Sequence, residues 1–301
     1  MSKLNVLIAG STGYIGVQLI KLLLNHKFIN IKYLCGNSSI GKKISSYDKS
    51  LSKKKLPTII KFNKNLLDKI DIIFTALPNG EAQIISKYLN KKQTLIDLAA
   101  DFRLEKSIDY FKWYKKKHRA PEMIKHSIYS IPELNVKNLN NYKIISCPGC
   151  YPTSILLPLV PLFKSNLVKT QNIVIDSKSG YSGAGRGVHK RYKKKNLYES
   201  ISAYGIKSHR HNIEIEQNLK RYTKKDVEFN FTPHLSPMFR GILSTIYIDL
   251  EKKIDVSKIT KHLKKFYKNC HFIKILKPNI FLSSNDVINT NNCYISVCNT
   301  K

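Results

Sequence analysis

The chain has 301 residues, 42% hydrophobic and 10% aromatic, enough to bury a large core in two domains. Its 52 basic and 20 acidic residues give a formal net charge of +32, but the lysines fall in short runs (53–55, 115–117, 193–195 and 264–265) with no aromatic-interleaved patch. Attraction of small anions is therefore expected and specific nucleic-acid binding is not. No leader with a small-residue cleavage site and no bilayer-length apolar run is read, and six cysteines in so long a chain do not make a secreted disulfide framework, so a cytoplasmic, reducing location without a membrane partner is expected.

Leu4-Asn5-Val6-Leu7-Ile8-Ala9 reads as a buried strand. Gly10-Ser11-Thr12-Gly13-Tyr14-Ile15-Gly16 then leads into the helical pattern of 17–24. Strand, glycine loop and helix in this order form a dinucleotide cradle: glycine lets backbone N–H groups approach a pyrophosphate, whose charge the helix N-terminus favours. A purely structural tight turn is the alternative. The second strand, 31–35, is followed by Gly36-Asn37-Ser38-Ser39 and Lys42-Lys43, with no acid to hold a ribose 2′-hydroxyl. Small hydroxyls and lysines suit a 2′-phosphate, so NADP is expected, with Ser38, Ser39 and Lys42 as candidate contacts. Strands at 71–76 and 94–98 with a helix at 81–88 between them predict a doubly wound parallel sheet, an α/β Rossmann-type domain. Leu77-Pro78-Asn79-Gly80 lies after a strand's carboxyl end, where such sheets bind ligands.

Ser146-Cys147-Pro148-Gly149-Cys150-Tyr151-Pro152 follows a strand at 143–145 and precedes the apolar run 155–160. The Cys150 thiol is thus expected just ahead of a helix N-terminus, whose dipole favours thiolate, the species that attacks carbonyl carbon. A buried packing cysteine, a Cys-x-x-Cys redox pair, or a Cys2His2 zinc site formed by Cys147, Cys150, His209 and His211 are the alternatives. Beyond Cys150, strand patterns at 172–176, 227–231 and 241–248 alternate as in a sheet with one solvated face, so a second, α+β domain is expected. Ser179 to Gly187 is a glycine-rich loop carrying Arg186, suited to wrapping an anion. Ser208-His209-Arg210-His211 puts two imidazoles and a guanidinium before a helix, as general acid/base and anion clamp or as solvated cap residues.

With Asp97-Leu98-Ala99-Ala100-Asp101-Phe102-Arg103-Leu104, 128–135, Pro148-Gly149-Cys150-Tyr151-Pro152-Thr153 and 232–241, these motifs make the chain resemble the N-acetyl-γ-glutamyl-phosphate reductase family of arginine biosynthesis over almost its whole length. The resemblance implies an NADP-dependent acyl-phosphate reduction through a Cys150 thioester, with inorganic phosphate as co-product. It makes His209 or His211 the acid/base, and Ser179, Arg186, Arg210 and Arg240 the substrate's holders. Ser182, Gly183 and Pro78 join the glycine loop as cofactor contacts, and a homo-oligomer is implied. Related aspartyl- or aminoadipyl-phosphate reductases, or a decayed and inactive member, are the other readings. Cys147 stands where the family more often has a non-thiol residue, which implies an inactivating disulfide with Cys150. The expected division is a cofactor domain over 1–147, a catalytic domain over 148–282 and a return segment over 283–301. After that segment the family continues into a glycine- and alanine-rich helix, so impaired cofactor binding and activity are expected of a chain ending at Lys301.

Overall fold

The computed structural model describes residues 3–134, 138–186, 199–252 and 254–299. Asn135, Gly187 and the run 193–195, each part of a feature read from the sequence, lie outside the described residues. By contacts the chain divides into two units, Met1–Ile131 with Val136–Pro148, and Pro132–Asn135 with Gly149–Lys301. The segment 283–301, expected to turn back toward the cofactor domain, is counted with the second unit.

The first unit alternates strand and helix: β1 Leu4–Ala9, α1 Tyr14–Leu24, β2 Ile29–Cys35, β3 Ile59–Ile60, β4 Ile72–Thr75, α2 Glu81–Ser86, β5 Thr94–Asp97, α3 Ser107–Tyr114, β6 Ser127–Tyr129 and β7 Ile144–Ser146. The strands form one sheet in the order β3-β2-β1-β4-β5-β7-β6, with every pairing parallel. Both faces are covered, which is why β1 reads as an unbroken apolar run from Val6 to Ala9. Val6 and Ile8 pack with Val17 and Ile20 of α1, whereas Leu7 and Ala9 pack with Ala82 and Ile85 of α2. The strand order reverses between β1 and β4, so a crevice opens beyond their carboxyl ends.

The second unit contains α4 Cys150–Lys164, β8 Ile173–Ser179, β9 Ser202–Ala203, α5 His211–Thr223, β10 Phe229–Leu235, β11 Ile242–Tyr247, α6 Val256–Phe266, β12 Ile273–Ile275 and β13 Cys293–Ile295. Its mixed sheet runs β11-β8-β10-β9, and β12 pairs with β13 in a parallel ribbon. Along β8, buried Ile173, Ile175 and Ser177 alternate with more exposed neighbours, the expected one-sided pattern. Two prolines, Pro158 and Pro161, sit inside α4. Pro161 has no N–H to offer the Leu157 carbonyl one turn back, and the Tyr267 hydroxyl donates to that carbonyl at 2.5 Å instead. The helix therefore stays continuous and fully packed behind Cys150. Among the described residues no helix is long and apolar enough to cross a membrane.

Candidate active site

The glycine loop of the first unit is built by close backbone approach. Gly10 has φ +84°, and a Cβ there would stand 2.2 Å from the Ala76 carbonyl oxygen; one on Gly16 would stand 2.3 Å from that of Gly10. The loop is thus pressed onto the end of β4 and onto the first turn of α1. Gly13, the N-cap of α1, supplies no side-chain cap, and no acid lies in the first turn. The N–H groups there are left for an anion. A cavity of about 590 Å³ opens over them, lined by Gly10, Thr12, Gly13, Asn37, Ser38 and Pro78 among others. This cradle fits a dinucleotide. The other expected contacts divide. Ser11 is fully buried and donates to the Cys35 carbonyl, and Ser39 is buried against the Tyr47 hydroxyl at 2.5 Å. Gly16 lies beneath the loop, and Tyr14, Ile15 and Lys42 do not line the cavity.

The loop after β4 is tied down by a residue the sequence reading left without a role. Gly80 caps α2 in a left-handed conformation with no side chain of its own, and Asp101 does the capping from a distance. Its Oδ1 accepts the Gly80 N–H at 2.7 Å, and its Oδ2 accepts those of Ala82 and Gln83 at 3.0 and 3.3 Å. Nearby Asp97 is fully buried and accepts from the Thr75 hydroxyl and the N–H groups of Ala99 and Asp101. Burial, then the charge of Asp101, raises its pKa to about 6. Cys147 is held up at about 11 by burial and then by Asp97, which leaves it a weak nucleophile toward the disulfide with Cys150 that was expected. Neither cysteine is in a disulfide.

In the second unit Cys150 is the exposed first residue of α4, one position deeper into the helix than expected. The N-cap Gly149 offers no side chain, and no acid lies in the first turn. The Gly149 N–H donates to Glu214 Oε1 at 2.7 Å. Glu214 is fully buried, and its Oε2 stands 3.9 Å from His211 Nε2, one turn earlier on α5. The carboxylate thus anchors the nucleophile's helix and faces an imidazole. Sequence reasoning missed it, because Glu214 and Glu216 look equivalent on a polar helix. The available signal is the i, i+3 spacing from His211 between two isoleucines.

His209 differs from His211. Its ring packs edge-on against Tyr151, Tyr204 and Phe231, with centroids 5.6, 5.5 and 5.7 Å away, within the range of about 4.5–7 Å of such pairs. Its Nδ1 accepts the His211 backbone N–H at 3.1 Å. Burial, then the charge of Arg210, pushes its pKa down to about 4. At neutral pH the ring is uncharged with its proton on Nε2. The loop from Ser179 is zipped to the 238–241 strand entry: Gly180 N–H donates to Gly241 O, Tyr181 N–H to Met238 O and Ser182 N–H to Phe239 O. Only glycine fits at 180, where a Cβ would stand 2.6 Å from Phe239 O. This brings Ser179, Ser182, Gly183 and Arg240 onto neighbouring backbone; Arg186 and Arg210 are exposed. A cavity of about 680 Å³ has Cys150, Thr153 and Ser154 at one end and runs along α4 between β11 and α6. Among the described residues no group of three or more His, Cys, Asp or Glu is placed to hold a metal ion, so the Cys2His2 alternative is not assembled.

A parallel dinucleotide domain followed by a mixed-sheet domain that opens on an exposed cysteine defines a semialdehyde dehydrogenase. Residues 5–142 match the semialdehyde dehydrogenase NAD binding domain, and residues 150–301 the semialdehyde dehydrogenase dimerisation domain. The chain is 40% identical to the N-acetyl-gamma-glutamyl-phosphate reductase of Ehrlichia ruminantium over 98% of its own length and 85% of that protein's. It is 42% identical to that of Clostridium beijerinckii, covering 96% of this chain and 84% of that protein. An aspartate semialdehyde dehydrogenase from Candida albicans, solved with NADP, shares the fold with a TM-score of 0.62 at 17% identity, covering 95% of this chain and 86% of that one. The chain belongs to the N-acetyl-gamma-glutamyl-phosphate reductase family.

Proposed function

We propose that the chain reduces N-acetyl-γ-glutamyl phosphate to N-acetylglutamate semialdehyde in arginine biosynthesis, with Cys150 as nucleophile and NADP(H) as cofactor. The observation that carries this reading is an exposed thiol at the uncapped start of α4, with Glu214 bonded to the residue before it and facing His211. The helix N-terminus favours the thiolate. His211, backed by the Glu214 carboxylate, takes the thiol proton. The Cys150 sulfur then bonds to the acyl carbon, and the carbon–oxygen bond to phosphate breaks with its electron pair leaving on inorganic phosphate. NADPH, held in the cavity over Gly10, Thr12 and Gly13, would supply the hydride needed to reduce the resulting thioester to the aldehyde. Cys150 leaves as thiolate and recovers its proton from His211. N–H groups at the start of α4 stabilise the oxyanion of each tetrahedral intermediate, and the neutral His209 offers Nε2–H as a further donor.

Asn37 and Ser38 at the cavity, with no acid at the end of β2, support NADP over NAD. Arg240 and the loop from Ser179 are the favoured holders of the substrate's anionic groups, with Arg186 and Arg210. The match of 150–301 to a dimerisation domain supports a homo-oligomer. The test is phosphate-dependent reduction of NADP by N-acetylglutamate semialdehyde, run beside aspartate semialdehyde, with the wild-type chain and Cys150→Ala. Turnover of the first aldehyde that vanishes in the variant supports the reading. A chain that prefers aspartate semialdehyde, or that turns over unchanged in the variant, overturns it.

A further inference from the structure

Arg103 follows the Asp97 turn, and the residue is only 8% exposed. Its Nε donates to the Cys147 carbonyl at 2.9 Å, and Nη2 reaches those of Pro148 at 3.3 Å and Leu98 at 3.5 Å. A charge placed for substrate would keep its fork toward solvent; this one turns its donors onto main chain. Cys147 N–H in turn donates to the Asp97 carbonyl at 2.8 Å. Cys147 is therefore bonded through both its N–H and its C=O, and Pro148 through its C=O, to the one short segment 97–103. Asp101, four residues from Asp97 and bonded to its Oδ2, holds the loop from Pro78 to Gly80 at the cofactor cavity.

We infer that Arg103 is a positioning residue for the nucleophile, and that Asp101, anchored on Asp97, is the matching positioning residue for the cofactor-facing loop. The inference rests on the proposed reaction for its kinetic consequences, though not for its geometry. Arg103 fixes the peptide planes at 147 and 148; the fixed φ of Pro148 carries that setting into Gly149, so the thiol emerges at the first position of α4. Lysine at 103 keeps the charge but cannot span several carbonyls at once, and glutamine keeps neither charge nor reach. Asparagine at 101 leaves one carboxylate position a donor facing N–H groups.

The experiment measures three quantities on the full chain: the pH profile of Cys150 alkylation by iodoacetamide, located by peptide mass, the dissociation constant of NADPH, and steady-state kinetics. Arg103→Gln is expected to slow neutral-pH alkylation by about tenfold and shift its profile to higher pH. It is also expected to lower kcat by about a hundredfold while leaving KM for the acyl phosphate and NADPH affinity within about threefold. Arg103→Lys should lie between it and wild type. Asp101→Asn should weaken NADPH about tenfold and leave the alkylation profile in place. A wild-type alkylation profile in Arg103→Gln, with the loss confined to KM for the acyl phosphate, overturns the inference and makes Arg103 a substrate ligand. If that variant does not fold, an unshifted profile in Arg103→Lys overturns it equally. A wild-type chain that binds NADPH and alkylates at Cys150 yet turns over no N-acetyl-γ-glutamyl phosphate refutes the substrate alone, and the alkylation comparison still judges Arg103.

Discussion

His209 converts its surroundings into a stability curve. Protonating its ring would replace the Nδ1 acceptor with a second donor pointing at the His211 N–H, inside a box of Tyr151, Tyr204 and Phe231 and beside Arg210. The pKa is accordingly pushed from 6.5 down to about 4. Between those values the unfolded chain takes up a proton that the folded chain refuses. The contribution is therefore fully present above 6.5 and is lost as pH falls toward 4. A displacement of this size corresponds to at most about 3 kcal/mol, most of it gone by about pH 4.5. His209→Asn keeps an acceptor near the Nδ1 position and removes the titration. Losing the edge-on ring contacts should cost the variant about 1–2 kcal/mol near pH 7.5. Urea unfolding at half-unit pH steps, with the slope of the transition checked for constancy, should show that deficit shrinking as pH falls, until the variant equals or passes wild type near pH 4.5. Curves that stay parallel would mean that His209 titrates as an ordinary imidazole, and its role as a neutral Nε2–H donor would fall with that result.

Cys150→Ala should abolish turnover while NADPH binding, followed by nicotinamide fluorescence, stays within about twofold, because the cofactor cradle lies on other elements. Glu214→Gln retains an acceptor for Gly149 N–H but discharges the group facing His211, so kcat should fall about a hundredfold with little change in melting temperature. Glu214→Ala should also lose about 1–3 kcal/mol by leaving that buried N–H unpaired, and a wild-type kcat in Glu214→Gln would rule out a role for the charge. Gly10→Ala should destabilise the chain and remove NADPH binding in calorimetry, since its Cβ would stand 2.2 Å from the Ala76 oxygen at φ +84°. Asp97 has the opposite pH sense to His209: its folded pKa of about 6 lies above the ordinary 3.8, so its penalty stands above 6 and is relieved as pH falls. Relative to Asp97→Asn, wild type should gain up to about 3 kcal/mol between about pH 7 and 4 in thermal melts, and a wild-type curve flatter than that of either single variant follows.

What was legible in the sequence is what residue type alone decides. Gly10 and Gly16 announce a backbone that must approach another backbone, and the strand-loop-helix order around them places that approach at a sheet's carboxyl edge. The unbroken apolar run from Val6 to Ala9 in β1 states that both faces are covered. Cys150 was legible because glycine and proline bracket it before an apolar helix. Its place one residue further into α4 was not, since a helix's first turn depends on where Glu214 takes the Gly149 N–H. The hydroxyls were misjudged for a similar reason. Ser11 and Ser39 sit in loops that read as solvent-facing, yet each meets a buried polar group, the Cys35 carbonyl and the Tyr47 hydroxyl. Neither the place of β6, at the sheet edge beyond β7, nor the pairing of β12 with β13 leaves a local trace.

The two helices that begin at the proposed chemistry share a departure from good capping practice. At the start of α6, Asp255 accepts from the Ser257 N–H, an ordinary cap, whereas α1 and α4 begin at Gly13 and Gly149 with no side-chain cap and no acid in the first turn. Glycine in place of a capping side chain forgoes only about a few tenths of a kcal/mol per helix, a small cost with no structural return in either unit. The return is chemical. A serine or aspartate at 13 would occupy the N–H groups that a pyrophosphate needs, and an acid beside 149 would oppose both the Cys150 thiolate and the oxyanion that forms next to it. At α4 the Gly149 N–H is taken by Glu214 from another helix, which fixes the turn without placing a capping side chain on the nucleophile's own helix. At α2, by contrast, Asp101 caps Gly80 from across the loop while Glu81 stands in the first turn. At α1 and α4 the fold moves the stabilising carboxylate off the helix, or omits it, so that the approach to the helix start stays open.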